Sequence, residues 1–228
     1  MKTEIKKDEY IAKIIHDLKT PTTAQIRALE SFLISTSNKI NQEEKDLIEL
    51  TLNSCNYMNR LIEIFSCVNK LNYEKIKLSF ERFNIVELTQ EVLNELSILS
   101  KYYELTYCVD FDDEIMIMAD KLQIKRVIEN LFSNSINYAF RNTEINIQLK
   151  KQNDNLIFQI RNNSPYIEPK ILNEVFDKYK THSSYYNKAG VGLGLYLSKE
   201  IISAHQGRMI AKSSLDNITI FGFIIPIK

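Results

Sequence analysis

The stretch Gly190-Val191-Gly192-Leu193-Gly194-Leu195 holds three of the five glycines in a chain of 228 residues. Glycine has no side chain, so the backbone N–H groups of such a stretch can close around a ligand. An apolar helical pattern follows at once, which predicts a loop leading into a helix N-terminus, where unpaired N–H groups and the helix dipole favour phosphate. The spacing fits neither of the common phosphate-binding glycine motifs. A flexible hinge before an ordinary helix is therefore the alternative.

Composition excludes several classes of function. The formal net charge is zero, which gives no electrostatic basis for binding nucleic acid or an anionic membrane. No run of residues approaches the roughly 18 apolar positions of a membrane span, and the polar N-terminus does not resemble a signal peptide. The histidines lack the spacing of a structural zinc site. A reducing cytoplasm is indicated by the unpaired, widely spaced cysteines, which are Cys55, Cys67 and Cys108.

The first third of the chain predicts two long helices. From Glu4 to Tyr73 there is no glycine and a single proline, and apolar residues recur every three or four positions on both sides of a polar break at 35–42. Such seams indicate an antiparallel helical hairpin. A lone hairpin would leave its apolar stripe in water, so we expect a second copy to complete a dimeric four-helix bundle. The stripe of the second helix comprises Leu47, Leu50, Ser54, Met58, Leu61, Phe65 and Val68.

One face of the first helix carries a histidine beside a proline. At roughly 100° per residue, His16 lies about 150° from the centre of the apolar seam, so it faces outwards. Thr20 is one turn further along on the same face. Pro21 cannot donate a hydrogen bond to the carbonyl of Asp17, which suggests a helix built to bend at this point. The alternatives are a surface histidine without a role and a tolerated kink.

Four motifs, taken in order, resemble those of sensor histidine kinases. His16–Pro21 resembles the H-box, Asn130–Tyr138 the N-box, Val175–Tyr179 the F-box and Gly190–Leu195 the second G-box. This resemblance extends over about residues 5–228. It implies a multidomain α and α+β protein, with a dimerisation and histidine phosphotransfer hairpin at 1–75. A catalytic ATP-binding domain would follow at 76–228, folded as an α/β sandwich of the Bergerat type.

Patterning in the second half agrees with such a sandwich. Helices alternate with strands that we expect to be antiparallel, which gives an α+β layer. The polar segment at 181–189 suits a mobile lid over a nucleotide. Helices are predicted at 86–99, 120–140, 171–178 and 193–205, and Asp120 is expected to cap the second of these. Strands are predicted at 105–111, 115–118, 144–150, 156–160, 209–213 and 218–225, with turns at Asn153-Asp154-Asn155 and Asp216-Asn217.

The resemblance implies phosphoryl transfer from ATP, with Mg²⁺, to the imidazole of His16. Asp17 would accept the other ring proton, and Thr20 would orient a hydrolytic water if the protein also dephosphorylates its regulator. Asn134 would offer its side-chain oxygen to the metal. The residues expected to bind the nucleotide are Asn130, Asn134, Tyr138, Asn162, Lys178, Gly190, Gly192, Leu193 and Gly194.

Two departures from the family pattern concern the nucleotide. The first G-box normally has an aspartate followed by two glycines, but here the aligned run is Asn162-Asn163-Ser164-Pro165-Tyr166-Ile167. Asn162 stands where the family's adenine-reading aspartate stands, unless Asn162 and Asn163 only form a turn after the strand. The N-box often carries a cation where Asn137 stands, and that charge would come from Lys178, Lys180 or Lys188.

Three functions from different classes follow. The leading one is a cytoplasmic, homodimeric histidine kinase that phosphorylates His16 from ATP and passes the phosphoryl group to an aspartate of a response regulator. Another is a degenerate kinase that acts as an adaptor or phosphotransfer protein without using ATP, and a plain helical scaffold is the third. Only fifteen residues precede His16, so we expect the input to come from a partner sensor protein or from a longer chain.

Overall fold

Two long helices open the fold, α1 (Lys2–Thr36) and α2 (Gln42–Leu71), as predicted. The computed structural model describes residues 2–36, 40–71, 76–180 and 192–227. The chain divides into two compact units, Met1–Lys75 and Ile76–Lys228. Asn41 and Glu44 form a reciprocal capping box at the start of α2, since each side chain accepts a 2.9 Å hydrogen bond from the other's backbone N–H.

Helix α1 continues through Pro21 as a single α-helix. Around the proline, threonine hydroxyls bond backbone carbonyls four residues earlier: Thr20 Oγ1 donates to His16, Thr22 Oγ1 to Leu18 and Thr23 Oγ1 to Lys19. These bonds give extra partners to carbonyls on either side of the Asp17 carbonyl, which has lost its usual donor.

The two helices pack against each other and bury Cys55 and Val68 of α2. The predicted stripe of α2 is only partly covered by this packing. Leu47 remains 65% exposed and Leu50 56% exposed, and Met58 is also exposed. A single chain therefore buries the C-terminal end of the stripe at Val68 and leaves its N-terminal part exposed.

The second unit contains seven strands and four helices among its described residues. A short antiparallel pair joins β1 to β3, and the other strands form one sheet in the order β2-β4-β5-β7-β6. The elements are β1 (Glu81–Asn84), α3 (Ile85–Tyr102), β2 (Thr106–Phe111), β3 (Met116–Ala119), α4 (Lys121–Tyr138), β4 (Glu144–Gln152), β5 (Asn155–Asn163), α5 (Pro169–Glu174), α6 (Gly194–Ala204), β6 (Arg208–Ser214) and β7 (Ile218–Pro226).

The expectation of an antiparallel sheet is wrong at one edge. Strands β4, β5, β7 and β6 are antiparallel neighbours, but β2 runs parallel to β4. A parallel pair needs a crossover between its strands, and β3 and α4 lie between β2 and β4 in the chain. The sheet is therefore mixed. Strand β1 was not predicted, and α5 ends at Glu174 rather than near residue 178.

A helical layer covers one face of the sheet. Along β5, burial alternates through Leu156, Phe158 and Ile160, and α4 packs on this strand while α6 packs on β6 and β7. Helices α4 and α6 also pack against each other. This contact brings the predicted N-box and second G-box together. Within the described ranges, none of the helices combines the length and the apolar character that crossing a membrane requires.

Candidate functional site

Helix α4 carries the N-box residues along one side. Its apolar face is fully buried, including Ile124, Ile128 and Leu131. Asn130, Asn134 and Tyr138 are half-buried and follow each other at intervals of four residues, so they form a polar stripe along the edge of the buried face. The side chain of Asn134 has no hydrogen-bond partner among the described residues, which leaves its amide available to a ligand.

The N-terminus of α4 is fixed by Asp120 and by a histidine from the end of α6. Asp120 Oδ1 accepts from the Gln123 N–H at 3.0 Å, as the predicted cap requires, and Oδ2 accepts from the Ser79 N–H at 2.9 Å. His205 Nδ1 donates to the Ile201 carbonyl at 2.8 Å, and Nε2 accepts from the Asp120 N–H at 3.1 Å. Burial lowers the pKa of His205, which suits the neutral ring that these bonds require.

Gly194, the first residue of α6, lies against the N-box. A Cβ added at Gly194 would overlap Asn130 Oδ1, so any other residue would displace the Asn130 side chain from this position. Asn130 Nδ2 donates to Ser198 Oγ at 3.0 Å, and Ser198 Oγ donates to the Gly194 carbonyl at 3.0 Å. The structure therefore joins Asn130 and Gly194, which are 64 positions apart, in one cluster.

Gly192 holds the entry to α6 in a conformation that favours glycine. Its φ is +67°, and a Cβ there would lie 2.5 Å from the Lys180 carbonyl oxygen. The Tyr179 N–H donates to the Gly192 carbonyl at 3.1 Å. Leu193 follows as the buried N-cap residue of α6. The F-box therefore contacts the glycine stretch directly.

Lys178 lies against aromatic rings from both segments. Its Nζ is 5.3 Å from the ring centroid of Tyr179 and 5.8 Å from that of Tyr196 on α6, distances typical of cation–π contacts. Phe176 packs edge-on against Phe221 of β7. Phe176 is thus anchored to the sheet, and the Lys178 charge lies near the start of α6.

Asn162 is a buried polar residue near the end of β5, only 3% exposed. It lies on the same face as Phe158 and Ile160, and its antiparallel partner on β7 is the buried Thr219. Strand β5 continues to Asn163, so the alternative that Asn162 and Asn163 form a turn is wrong. Asn162 points towards the helical layer, and Asn163 is exposed.

In the first unit, the outward position predicted for His16 is confirmed. Its side chain is 80% exposed, and its Nδ1 lies 3.4 Å from Asp17 Oδ1. Thr20 is one turn away, with its hydroxyl bonded to the His16 carbonyl. Lys19 forms a 3.1 Å ion pair with Glu63 of α2. The contact with Asp17 engages Nδ1, and Nε2 points away as the nitrogen open to a reaction partner.

Some predicted residues lie outside the described ranges, namely Gly190, the lid at 181–189 and Lys188. Sequence reasoning also missed Ser198 and Thr219. Both are small polar residues at buried positions of apolar elements, and an isolated serine or threonine in such a pattern is a weak signal before the neighbouring element is known. No group of three histidine, cysteine, aspartate or glutamate side chains that could hold a metal occurs within the described part of the chain.

Comparisons with known proteins agree with this geometry. The family model of the histidine kinase-, DNA gyrase B-, and HSP90-like ATPases matches residues 119–228. The chain is 28% identical over 221 residues to the sensor histidine kinase CssS of Bacillus subtilis, covering 94% of this chain and 47% of the relative. It thus spans about half the length of that curated relative.

Solved structures give the same result. The catalytic domain of the histidine kinase ThkA is 27% identical with a TM-score of 0.59, and the match covers 65% of this chain and 96% of that domain. The structure of ThkA in complex with the response regulator protein TrrA is 22% identical with a TM-score of 0.64, covering 99% of this chain and 66% of that one. The latter likeness supports the fold alone.

Proposed function

We propose that this chain phosphorylates its own His16 from ATP. It then passes the phosphoryl group to an aspartate of a response regulator. The chain is a homologue of sensor histidine kinases. Its residues 119–228 form an ATPase domain of the histidine kinase-, DNA gyrase B-, and HSP90-like family. Its partners are a second copy of the chain, the receiver domain of the regulator and an upstream sensor protein, and its place is the cytoplasm. The observation that carries the proposal is the cluster of Asn130, Gly194 and Lys178 at the start of α6.

This cluster suits a polyphosphate. Helix α6 begins at Gly194 without a side-chain cap, so its first N–H groups are available to an anion. The Lys178 ammonium adds a positive charge beside that helix start. We propose that Asn162, at the buried end of β5, contacts the base of the nucleotide. Phosphoryl transfer needs mostly positioning and charge neutralisation, and these residue types provide both.

Magnesium fits the amide pair of α4. Asn134 has an amide without a partner among the described residues, and the Asn130 oxygen lies at the first residue of α6. Amide oxygens are hard ligands of the kind that Mg²⁺ accepts alongside substrate phosphates. We assign Asn134 as the protein ligand, with Asn130 beside it. When bound, the metal neutralises charge on the β- and γ-phosphates.

At His16, the reaction uses the two ring nitrogens differently. Asp17 holds the proton on Nδ1, so the lone pair of Nε2 attacks the γ-phosphorus. The new N–P bond forms as the bond from that phosphorus to the β–γ bridging oxygen breaks, and ADP leaves with the electron pair. Asp17 takes up the Nδ1 proton and releases it to solvent. A carboxylate of the regulator then attacks the phosphorus, and the N–P electron pair returns to His16.

Thr20 is the residue to which we assign a role in dephosphorylating the regulator. Its hydroxyl lies one turn above His16 at an exposed position, where we propose that it orients a water molecule for dephosphorylation of the regulator. The test of the function as a whole is direct. Purified protein incubated with γ-labelled ATP and Mg²⁺ should acquire a label that is labile in acid and stable in base, as a phosphoramidate is. A protein that binds ATP without becoming labelled contradicts the proposal.

Dimerisation is expected because the hairpin leaves apolar side chains in water. Leu47, Leu50 and Met58 of α2 are exposed, as are Ile14 and Leu18 of α1, and contiguous exposed apolar surface of this kind marks interaction sites. Analytical ultracentrifugation at micromolar concentration should give the mass of two chains.

A matched pair of variants tests which face forms the dimer. Leu50→Glu should shift the sedimentation to one chain, because it places a charge in the apolar stripe. Lys45→Glu, at an exposed position about 140° around the helix from Leu50, should leave the dimer intact. A wild-type protein that sediments as a monomer would contradict the predicted bundle.

A degenerate, adaptor-like kinase is the second candidate, and the first G-box favours it. Asn162 replaces the expected aspartate, so the bond to the adenine amino group would be neutral. A charged hydrogen bond exceeds a neutral one by on the order of 1 kcal/mol, which is several-fold in affinity. An asparagine can also turn its amide and donate to a guanine carbonyl. We therefore expect weak ATP binding with little discrimination against GTP.

The substitution Asn162→Asp should raise ATP affinity several-fold and restore preference for adenine over guanine. Calorimetric titration of both proteins with ATP and GTP measures this directly. Asn163→Asp is the matched control, because Asn163 is adjacent but exposed on the other face of β5, and its affinities should stay at the wild-type values. Unchanged affinities in Asn162→Asp would show that this residue does not contact the base.

A further inference from the structure

Ser198 lies at the centre of the contact between α4 and α6. The residue is buried, 2% exposed, and its hydroxyl makes two hydrogen bonds of 3.0 Å, one to Asn130 Nδ2 and one to the Gly194 carbonyl. It is one turn along α6 from Gly194. Neither the motifs nor the comparisons give this serine a role.

The direction of this hydrogen-bond relay follows from its last member. The Gly194 carbonyl can only accept, so the single hydroxyl hydrogen of Ser198 is used there. The hydroxyl oxygen must then accept from its other partner, and the Asn130 amide can satisfy it only with its NH₂ group. The amide oxygen of Asn130 is consequently turned the other way, towards Cα of Gly194.

This orientation decides what Asn130 offers at the start of α6. An amide oxygen there is a metal ligand and repels phosphate, whereas an amide NH₂ would donate directly to phosphate. A flipped amide would place its oxygen, an acceptor, against the Ser198 hydroxyl, which could donate to that oxygen only by giving up its bond to the Gly194 carbonyl. The hydrogen bonds of Ser198 therefore stabilise one of the two orientations of the Asn130 amide.

We propose that Ser198 is a positioning residue for nucleotide binding, which fixes the Asn130 amide with its oxygen towards the Mg²⁺ that would bind with ATP at the start of α6. This inference rests on the proposed function, because it requires that ATP binds with Mg²⁺ between α4 and α6. Ser198 itself does not touch the nucleotide. Its effect passes entirely through Asn130.

The experiment compares ATP affinity with Mg²⁺ and with EDTA in wild type, Ser198→Ala, Asn130→Ala and the double variant. Losing one orienting hydrogen bond should weaken ATP binding about 3- to 10-fold in Ser198→Ala when Mg²⁺ is present, with little change in EDTA. Asn130→Ala should weaken it at least as much, and adding Ser198→Ala to it should have no further effect. Ser198→Thr keeps the hydroxyl and should restore binding. Ser203→Ala, at an exposed position of the same helix, is the control.

The outcomes separate the inference from the function on which it rests. A wild-type protein that does not bind ATP with Mg²⁺ overturns both. Normal wild-type binding combined with unchanged affinity in Ser198→Ala overturns the inference alone. Additive losses in the double variant, or an equal loss in EDTA, would also overturn it, because Ser198 would then act on the fold rather than through Asn130. Thermal unfolding of each variant identifies that structural effect independently.

Discussion

Autophosphorylation is expected to disappear completely in His16→Ala, with ATP affinity unchanged. The imidazole of His16 is the proposed phosphoryl acceptor, and alanine offers no lone pair in its place. The side chain is 80% exposed, and Asp17 is its polar partner among the described residues, so its removal leaves no cavity and should not perturb folding. The residues proposed to bind the nucleotide belong to the other unit of the chain. Labelling with γ-labelled ATP and calorimetric titration of ATP measure the two properties separately.

The chain contains two further histidines, which provide controls. His182→Ala should become labelled like the wild type. His205 is buried between Ile201 and Asp120, where a phosphoryl donor has no access, so it should not accept the label. An acid-labile label that persists in His16→Ala would exclude His16 as the sole acceptor. Loss of ATP binding in the same variant would contradict the proposal that the phosphoacceptor and the nucleotide-binding residues belong to different units.

Local patterns in the sequence were sufficient to predict most of the elements. Asp120 predicted the start of α4 because an aspartate before an apolar periodic run satisfies the first N–H groups of a helix, and the structure has that bond. Asn153 and Asn217 predicted turns, and both have positive φ between paired strands. Signals of this kind depend on a few neighbouring residues, so they can be recognised without knowledge of the tertiary structure.

Strand pairing depended on contacts that are distant in sequence. The apolar pattern from Leu105 to Phe111 indicates the strand β2. The pattern does not indicate that β2 pairs with β4 or that these two strands run parallel. Strand β1 has only Phe83 buried, and four residues with one buried side chain give no periodic signal. The order of the sheet rests on pairings between strands that are far apart in sequence, which local periodicity does not report.

In the first unit, too, the sequence predicted the helices of the hairpin but not the partner that covers their apolar residues. Of the near-heptad stripe predicted on α2, Val68 is buried in the single chain whereas Leu47 and Leu50 are exposed. Periodicity identifies an apolar face without saying which partner covers it. Likewise, the motifs identified Asn130 and Gly194 separately. Only the fold shows that the Ser198 hydroxyl links them through two hydrogen bonds.

Asn134→Ala is expected to reduce autophosphorylation at least about 100-fold while the fold is retained. Asn134 is the proposed protein ligand of Mg²⁺, and charge stabilisation by a metal is worth several kcal/mol in a phosphoryl transfer. The side chain is half-buried and has no hydrogen-bond partner among the described residues, so truncation should cost little stability. Initial rates of labelling, measured across a range of Mg²⁺ concentrations, should show both a lower maximum and a higher requirement for the metal.

Two variants on the same helix isolate the contribution of the Asn134 oxygen. Asn134→Asp keeps an oxygen that can bind the metal, so it should retain more activity than Asn134→Ala. Ser133→Ala truncates the preceding half-buried residue, which lies about 100° around the helix, and should label at the wild-type rate. If Asn134→Ala unfolds, as followed by circular dichroism, Asn134 is structural. If it labels at a near-normal rate, the metal is held by other groups, and Asn130, whose oxygen lies at the start of α6, becomes the residue to replace next.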